Sequence, residues 1–259
     1  MVWLLNKDIP KEHLDKIKLL VLDSDGVTVE RGTKIKEKET AKHWMAEIKT
    51  NKIPEELYQM INQLKKKGLK IMISSGRGLI YLQSMYPQII GDGTILQAEN
   101  GSISLFGGKV IQHFDYSENY FKKMARIKEK IKKLPIDGFE PKQFILTVHS
   151  PEEFKEVYDI VKSEDAEGEL KVMWNGEAFD IQRKDVSKGE GLKKIMDYLG
   201  IKKDEVLAIG DRINDKELLE LAAIGVSADK EKLDSDYWIE KDGLAGKHLL
   251  RYLLDNLGN

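Results

Sequence analysis

The stretch VLDSDGVTV, residues 21–29, decides how the fold of this chain is read. Leu19 to Leu22 form a continuous apolar run, the pattern of a strand buried on both faces in a parallel sheet. The run ends on Asp23 and Asp25, one residue apart, and on Gly26, so two carboxylates stand at a strand's carboxyl end. In an open α/β sheet ligands bind at that edge, where strand ends and helix N-termini converge on a crevice. Two acids facing the crevice repel each other and lose hydration unless a cation or a shared proton compensates, so a metal or a reaction is expected there. Turn chemistry is the plainer reading of Asp-Ser-Asp-Gly. A calcium-binding EF-hand loop begun at Asp23 is excluded, because it needs glycine where Thr28 stands and glutamate where Lys34 stands.

Outward from this stretch the chain alternates strands and helices. Residues 54–67 predict an amphipathic helix with Pro54 in its first turn and Gly68 at its end. Strands are expected at 69–73, stopping at Ser74 and Ser75, and at 94–98, followed by Glu99, Asn100 and Gly101. From about Ser102 the rhythm changes to a hairpin across Gly107 and Gly108, a lysine-rich helix at 117–133 and further strand and helix segments. An inserted α+β unit over 103–184 is therefore expected within a core formed by 1–102 and 185–259. The parallel pattern resumes with a helix at 189–199, a strand at 205–210, a helix at 215–222, a strand at 224–228 and a last helix from 244. The fold class is α/β, with a Rossmann-like three-layer core and a parallel sheet.

With 259 residues and 41% hydrophobic content, one substantial core and a second small one are within reach. Forty-two basic and 44 acidic residues give a formal charge of -2, so no global field favours nucleic acid or an anionic membrane. The absence of cysteine excludes disulfides, thiolate metal sites and cysteine nucleophiles. The apolar run in MVWLLNKDIP is too short for a signal peptide, and no stretch approaches the ~18 apolar residues of a membrane span. A cytoplasmic protein, monomeric or homo-oligomeric, is the expectation.

Three more stretches fall at strand-to-helix corners. At Ser75, Gly76 and Arg77 a hydroxyl and exposed backbone N–H groups make an anion site, although Ser-Gly is also a common turn. Ser187 to Glu190 has capping-box spacing, and Lys188 then lies in a first helical turn, where a cation opposes the macrodipole unless an anion is near. In GDRIND, residues 210–215, Asp211 follows a buried strand while Asn214 and Asp215 open a helix. Each alone reads as capping or as a solvated lysine. Their conjunction at one sheet edge, in this order, is what points to a site.

DSDGVT, ISSGR, Lys188 before its helix and GDRIND resemble the four motifs of the haloacid dehalogenase superfamily of phosphohydrolases, from about Leu19 to the carboxyl terminus. The insert, Glu99-Asn100-Gly101 and GDxxND resemble the Cof-type branch with a type IIB α+β cap. The resemblance implies Asp23 as nucleophile forming an aspartyl-phosphate and Asp25 as acid and base. It also implies Mg2+ held by Asp23, the Asp25 backbone carbonyl and Asp211. Ser75, Gly76, Lys188 and Asn214 would hold phosphate oxygens, and Asp215 would work from behind the ligands. The implied substrate is a small phosphorylated metabolite of the sugar phosphate or phosphoglycolate type. A phosphomutase-type phosphotransferase and a non-catalytic binding protein on the same fold are the rivals. Two features depart from the family pattern: Val27 precedes Thr28 where threonine commonly follows the glycine, and residues 30–52 make a long charged segment, which either reshapes the mouth of the site, serves an oligomer contact or is a solvated loop. Substrate selectivity is expected from insert side chains such as His149, Trp174, Asn175 and Arg183.

Overall fold

The computed structural model describes residues 5–40, 42–240 and 242–258, so residues 1–4 of the apolar amino-terminal run lie outside the described residues. A helical turn, α1 (Lys11–Leu14), leads into β1 (Leu19–Asp23), the hairpin β2 (Lys34–Glu39) and β3 (Trp44–Lys49), and α2 (Glu55–Lys66). β4 (Lys70–Ser74), α3 (Leu79–Met85), β5 (Ile95–Ala98) and the hairpin β6 (Ile103–Phe106) and β7 (Lys109–Gln112) come next. There follow α4 (Glu118–Ile131), β8 (Gly138–Glu140), β9 (Leu146–His149), α5 (Lys155–Glu164), β10 (Leu170–Trp174) and β11 (Ala178–Arg183). The chain ends with α6 (Lys188–Leu199), β12 (Val206–Gly210), α7 (Lys216–Leu221), β13 (Ile224–Ser227), β14 (Tyr237–Trp238) and α8 (Ala245–Asn256).

The first compact unit holds residues 5–31, 51–113 and 187–258. Its sheet runs β14-β13-β12-β1-β4-β5-β6-β7, with β1 between β12 and β4 and parallel to both. Because β1 is buried on both faces, its side chains alternate between two layers. Leu19 and Val21 join Met72, Ile95, Leu192, Ile195 and Leu218 under α6 and α7, while α2 packs on β4 and on α8. The order of the strands brings the carboxyl ends of β1, β4, β5 and β12 side by side, which carries Asp23, Ser74, Ala98 and Gly210 to one edge. No helix among the described residues is long and apolar enough to cross a membrane.

The second unit holds residues 32–50 and 114–186. Its four antiparallel strands, β10-β11-β9-β8, bury Val148, Phe179 and Ile181 against Met124, Ile127 and Ile131 of α4 and Val157 and Val161 of α5. The β2 and β3 hairpin belongs to this unit, with Glu37 Oε2 accepting the Phe139 N–H at 2.8 Å.

The units do not divide at 103 and 184, as the change of rhythm suggests. Ile103, Ser104 and Leu105 pair antiparallel with Ala98, Gln97 and Leu96, so the β6 and β7 hairpin extends the core sheet beyond β5. The turn at 99–101 allows this directly: Glu99 and Asn100 adopt φ of 51° and 50°, and Gly101, at φ +95°, approaches Ser187 O so closely that a Cβ would stand 2.4 Å from it. The segment read as a solvated loop is the β2 and β3 hairpin of the other unit.

His113 closes the core's last hairpin, its Nε2 lying 2.8 Å from Ser104 Oγ. Burial, helped by the charge of Lys194, pushes its imidazole down to about 4. The unfolded chain takes up this proton below about 6.5 while the folded chain stays neutral, so stability falls as pH drops from 6.5 towards 4. The loss is about 2 kcal/mol after allowing for solvent screening of a partly exposed ring. His113→Asn should make the acid-side slope shallower, read as urea midpoints at pH 7, 5.5 and 4.5; parallel slopes for the two proteins would refute this.

Candidate active site

The loop after β1 is built to hold Asp23 still. The Ser24 carbonyl accepts the N–H groups of Val27, Thr28 and Val29 at 3.2, 2.9 and 3.0 Å, and Gly26 turns the chain at φ +89°. Thr28, one place later than the family pattern has it, donates its hydroxyl to the Asp23 carbonyl at 2.8 Å. The buried Tyr86 hydroxyl reaches both Ser24 Oγ and Thr28 Oγ1, at 2.8 and 2.7 Å. Burial pushes this phenol well above its usual range, so it remains a neutral donor.

Lys188 accounts for its unfavourable position in the first turn of α6. Ser187 caps the helix by accepting the Glu190 N–H at 3.1 Å, and the Lys188 ammonium lies 2.6 Å from Asp23 Oδ1 and 2.6 Å from Asp215 Oδ1. All three side chains are buried. Burial opposes the ammonium charge, yet Asp215 and Asp23 outweigh it and push the lysine up. Burial and the charge of Asp215 push the Asp23 carboxyl up to about 6, with Lys188 working against them. Asp215 is fully occupied, since its Oδ2 accepts the N–H groups of Asp211 and Arg212 at 3.1 and 3.2 Å. Asp23 Oδ2, in contrast, accepts no hydrogen bond from the described residues.

The corner after β4 joins the same edge. Ser75 Oγ accepts the Arg77 N–H at 3.2 Å, and the Ser75 carbonyl accepts the Asn100 N–H at 3.1 Å. Arg77 turns its guanidinium onto Asp25, with Nε 3.1 Å from Oδ2 and Nη2 3.2 Å from Oδ1. Asn214 Nδ2 reaches Asn100 Oδ1 at 3.4 Å. Arg31 Nη2 donates to both oxygens of Asp211, at 2.8 and 2.5 Å. Burial and the charge of Asp23 push the Asp211 carboxyl up, and Arg31 opposes them. The sequence assigns no role to the side chains of Arg31, Arg77 and Asn100; Arg77 and Asn100 stand inside quoted motifs, whereas nothing local marks Arg31.

Four carboxylates thus share one edge with Lys188, Arg31 and Arg77. Oxygens of Asp23, Asp211 and Asp215 come within 4.8 Å of one another. Asp215 is held by Lys188 and two backbone N–H groups and Asp25 by Arg77, whereas Asp23 keeps Oδ2 and Asp211 is hydrogen-bonded by the Arg31 guanidinium, so Asp23 and Asp211 are the carboxylates that could serve a cation. An all-oxygen donor set suits a hard ion such as Mg2+. A second acidic group, Asp165, Glu167 and Glu169, already surrounds the Lys123 ammonium at 2.7, 2.9 and 3.1 Å. The insert residues expected to choose substrate are largely tied up: Asn175 Oδ1 accepts the N–H groups of Glu177 and Ala178, and Arg183 binds Asp185. His149 meets Glu140, and Trp174 packs on Phe179.

A family profile described as haloacid dehalogenase-like hydrolase matches residues 48–136 and 110–231. A phosphoglycolate phosphatase of Methanopyrus kandleri is 29% identical over 170 residues, 64% of this chain and 72% of that protein. Another, of Methanoculleus marisnigri, is 24% identical over 240 residues, 88% of this chain and 92% of the relative. A crystal structure from Eubacterium rectale superposes with a TM-score of 0.70 at 18% identity, covering 93% of this chain and 100% of the other. A sugar phosphatase of HAD subclass IIB superposes with a TM-score of 0.55 at 23% identity, covering 82% and 87%.

Proposed function

This chain belongs to the haloacid dehalogenase-like hydrolases and is a phosphatase, and from that premise we propose that it hydrolyses a small phosphomonoester with Mg2+, through an aspartyl-phosphate on Asp23. The observation that carries this reading is the division of labour at Asp23, where Lys188 holds Oδ1 and Oδ2 accepts nothing from the described residues. Oδ2 attacks phosphorus, the bond from phosphorus to the leaving oxygen breaks, and Asp25 gives that oxygen a proton. Asp25 then takes a proton from water, whose oxygen bonds to phosphorus as the bond to Asp23 breaks. Ser75, the Gly76 N–H, Lys188 and Asn214 hold the phosphoryl oxygens as charge shifts among them. Asp215 keeps Lys188 in place, and Arg77 orients Asp25. Mg2+, held by Asp23, the Asp25 carbonyl and Asp211, would offset the repulsion between a phosphate dianion and Asp23.

The phosphoglycolate phosphatases among the relatives support phosphoglycolate as the first substrate to try, with sugar phosphates next. The test is release of inorganic phosphate from a panel of such esters with Mg2+ and again with a chelator. Phosphate release that stops in chelator and returns with Mg2+ is expected. Release of an isomer instead of phosphate would favour the phosphomutase reading, full activity in chelator would remove the metal, and no reaction with any ester would overturn the proposal.

A further inference from the structure

Asp211 is one of the two carboxylates to which the proposed reaction assigns a metal, and it already holds a cation of its own. One guanidinium nitrogen of Arg31 binds both of its oxygens, in a pair where Asp211 is 8% exposed and Arg31 32%. The pair lies against the turn that follows Asp23. A Cβ added to Gly26 would stand 2.7 Å from Asp211 Oδ2 and 2.9 Å from Arg31 Nε, so the glycine leaves room for both groups beside the backbone. The Arg31 backbone is fastened as well, since Asn51 Nδ2 donates to the carbonyls of Glu30 and Arg31 at 3.0 and 3.2 Å. Its guanidinium also feels the charges of Asp23 and Asp25.

Resting on the metal reading above, we infer that Arg31 is a built-in competitor for Asp211, which a divalent cation must displace in order to bind. Each carboxylate oxygen keeps a second lone pair, but both Asp211 oxygens face the same guanidinium, so a dication arriving at either one meets its positive charge. Once a dication sits beside Asp211, like-charge repulsion drives the guanidinium away. Arg31 therefore lowers the affinity for metal and stabilises the metal-free site, where it offsets the charge of a buried carboxylate. Arg31 is in this sense a positioning residue and not a metal ligand.

The test uses the full chain without substrate. Mn2+ is titrated into wild type, Arg31→Ala, Arg31→Gln and Asp211→Asn, with free Mn2+ read by electron paramagnetic resonance and melting temperature read in chelator and in saturating Mn2+. Arg31→Ala should bind Mn2+ about tenfold more tightly at the same stoichiometry, roughly the effect of losing one ion pair from the competing state. Its melting temperature should fall below wild type in chelator and meet it in saturating Mn2+. Arg31→Gln, which keeps much of the side chain's length without its charge, should do the same and covers the case in which the alanine variant fails to fold. Unchanged or weaker Mn2+ binding in a folded Arg31 variant would overturn the inference while leaving the metal site standing. Wild-type Mn2+ affinity in Asp211→Asn would overturn the metal assignment itself, and the inference with it.

Discussion

Asp23→Asn is expected to lower phosphate release at least about a thousandfold while the fold persists. The amide keeps nearly the same volume, and its Oδ1 can still accept the Lys188 hydrogen bond now made at 2.6 Å. What it loses is the anionic oxygen that attacks phosphorus and a charged metal ligand. Stability should move the other way. The Asp23 carboxyl is pushed up to about 6 from an ordinary value of 3.8, mainly by burial, so its folded-state contribution is present at low pH and lost as pH rises through 3.8 to 6. In chelator the asparagine variant avoids that loss. Its melting temperature should match the wild type near pH 4 and equal or exceed it at pH 7. A kcat within a few fold of wild type would remove Asp23 as nucleophile. A melting temperature lower at pH 7 than at pH 4, relative to wild type, would show that the charge is compensated more fully than burial suggests.

Legibility in the sequence followed the range of the interactions. The β1 strand, its two carboxylates and the corners at Ser75, Lys188 and Asp211 are each marked by an apolar run meeting polar or small residues within a few positions, so they can be located without partners. The β2 and β3 hairpin was not legible as sheet, because KIKEKE and WMAEIK give no clean apolar face; Ile35 is buried, whereas Trp44 and Met45 are exposed. The β6 and β7 hairpin was legible as a hairpin, but nothing in alternation says which sheet edge a hairpin joins, and here it joins β5. Arg31 and Arg77 find their carboxylates 180 and 52 residues away along the chain, and a solvated arginine has the same sequence signature as a buried one. Lys188 could be suspected only because its place in a helix's first turn was unfavourable on its own.

Lys188→Met should damage both activity and stability, and the dependence of the second on pH separates its two roles. The ammonium is the shared partner of two carboxylates that are almost fully buried, Asp23 and Asp215. Removing it leaves two like charges facing each other without compensation, a change that costs about 3–5 kcal/mol when a buried pair is broken from one side. Loss of the ammonium, which now holds the Asp23 carboxyl down against burial and the charge of Asp215, pushes that carboxyl still further up, so the folded state avoids part of the cost by keeping Asp23 protonated. A raised carboxyl favours folding at low pH and ceases to do so as pH rises, so the deficit against wild type should be small near pH 5 and large near pH 8. Turnover should fall by on the order of a hundredfold or more at every pH, because the positive charge that neutralises the phosphoryl oxygens is gone. Lys188→Arg keeps the charge in a longer, planar group that cannot place one nitrogen 2.6 Å from both carboxylates without shifting them, so it should recover stability better than rate. Melting curves from pH 5 to 8 beside steady-state kinetics give both quantities. A stability deficit independent of pH would mean that the lysine acts through packing of its stem, and an unchanged kcat in the methionine variant would take Lys188 out of the reaction.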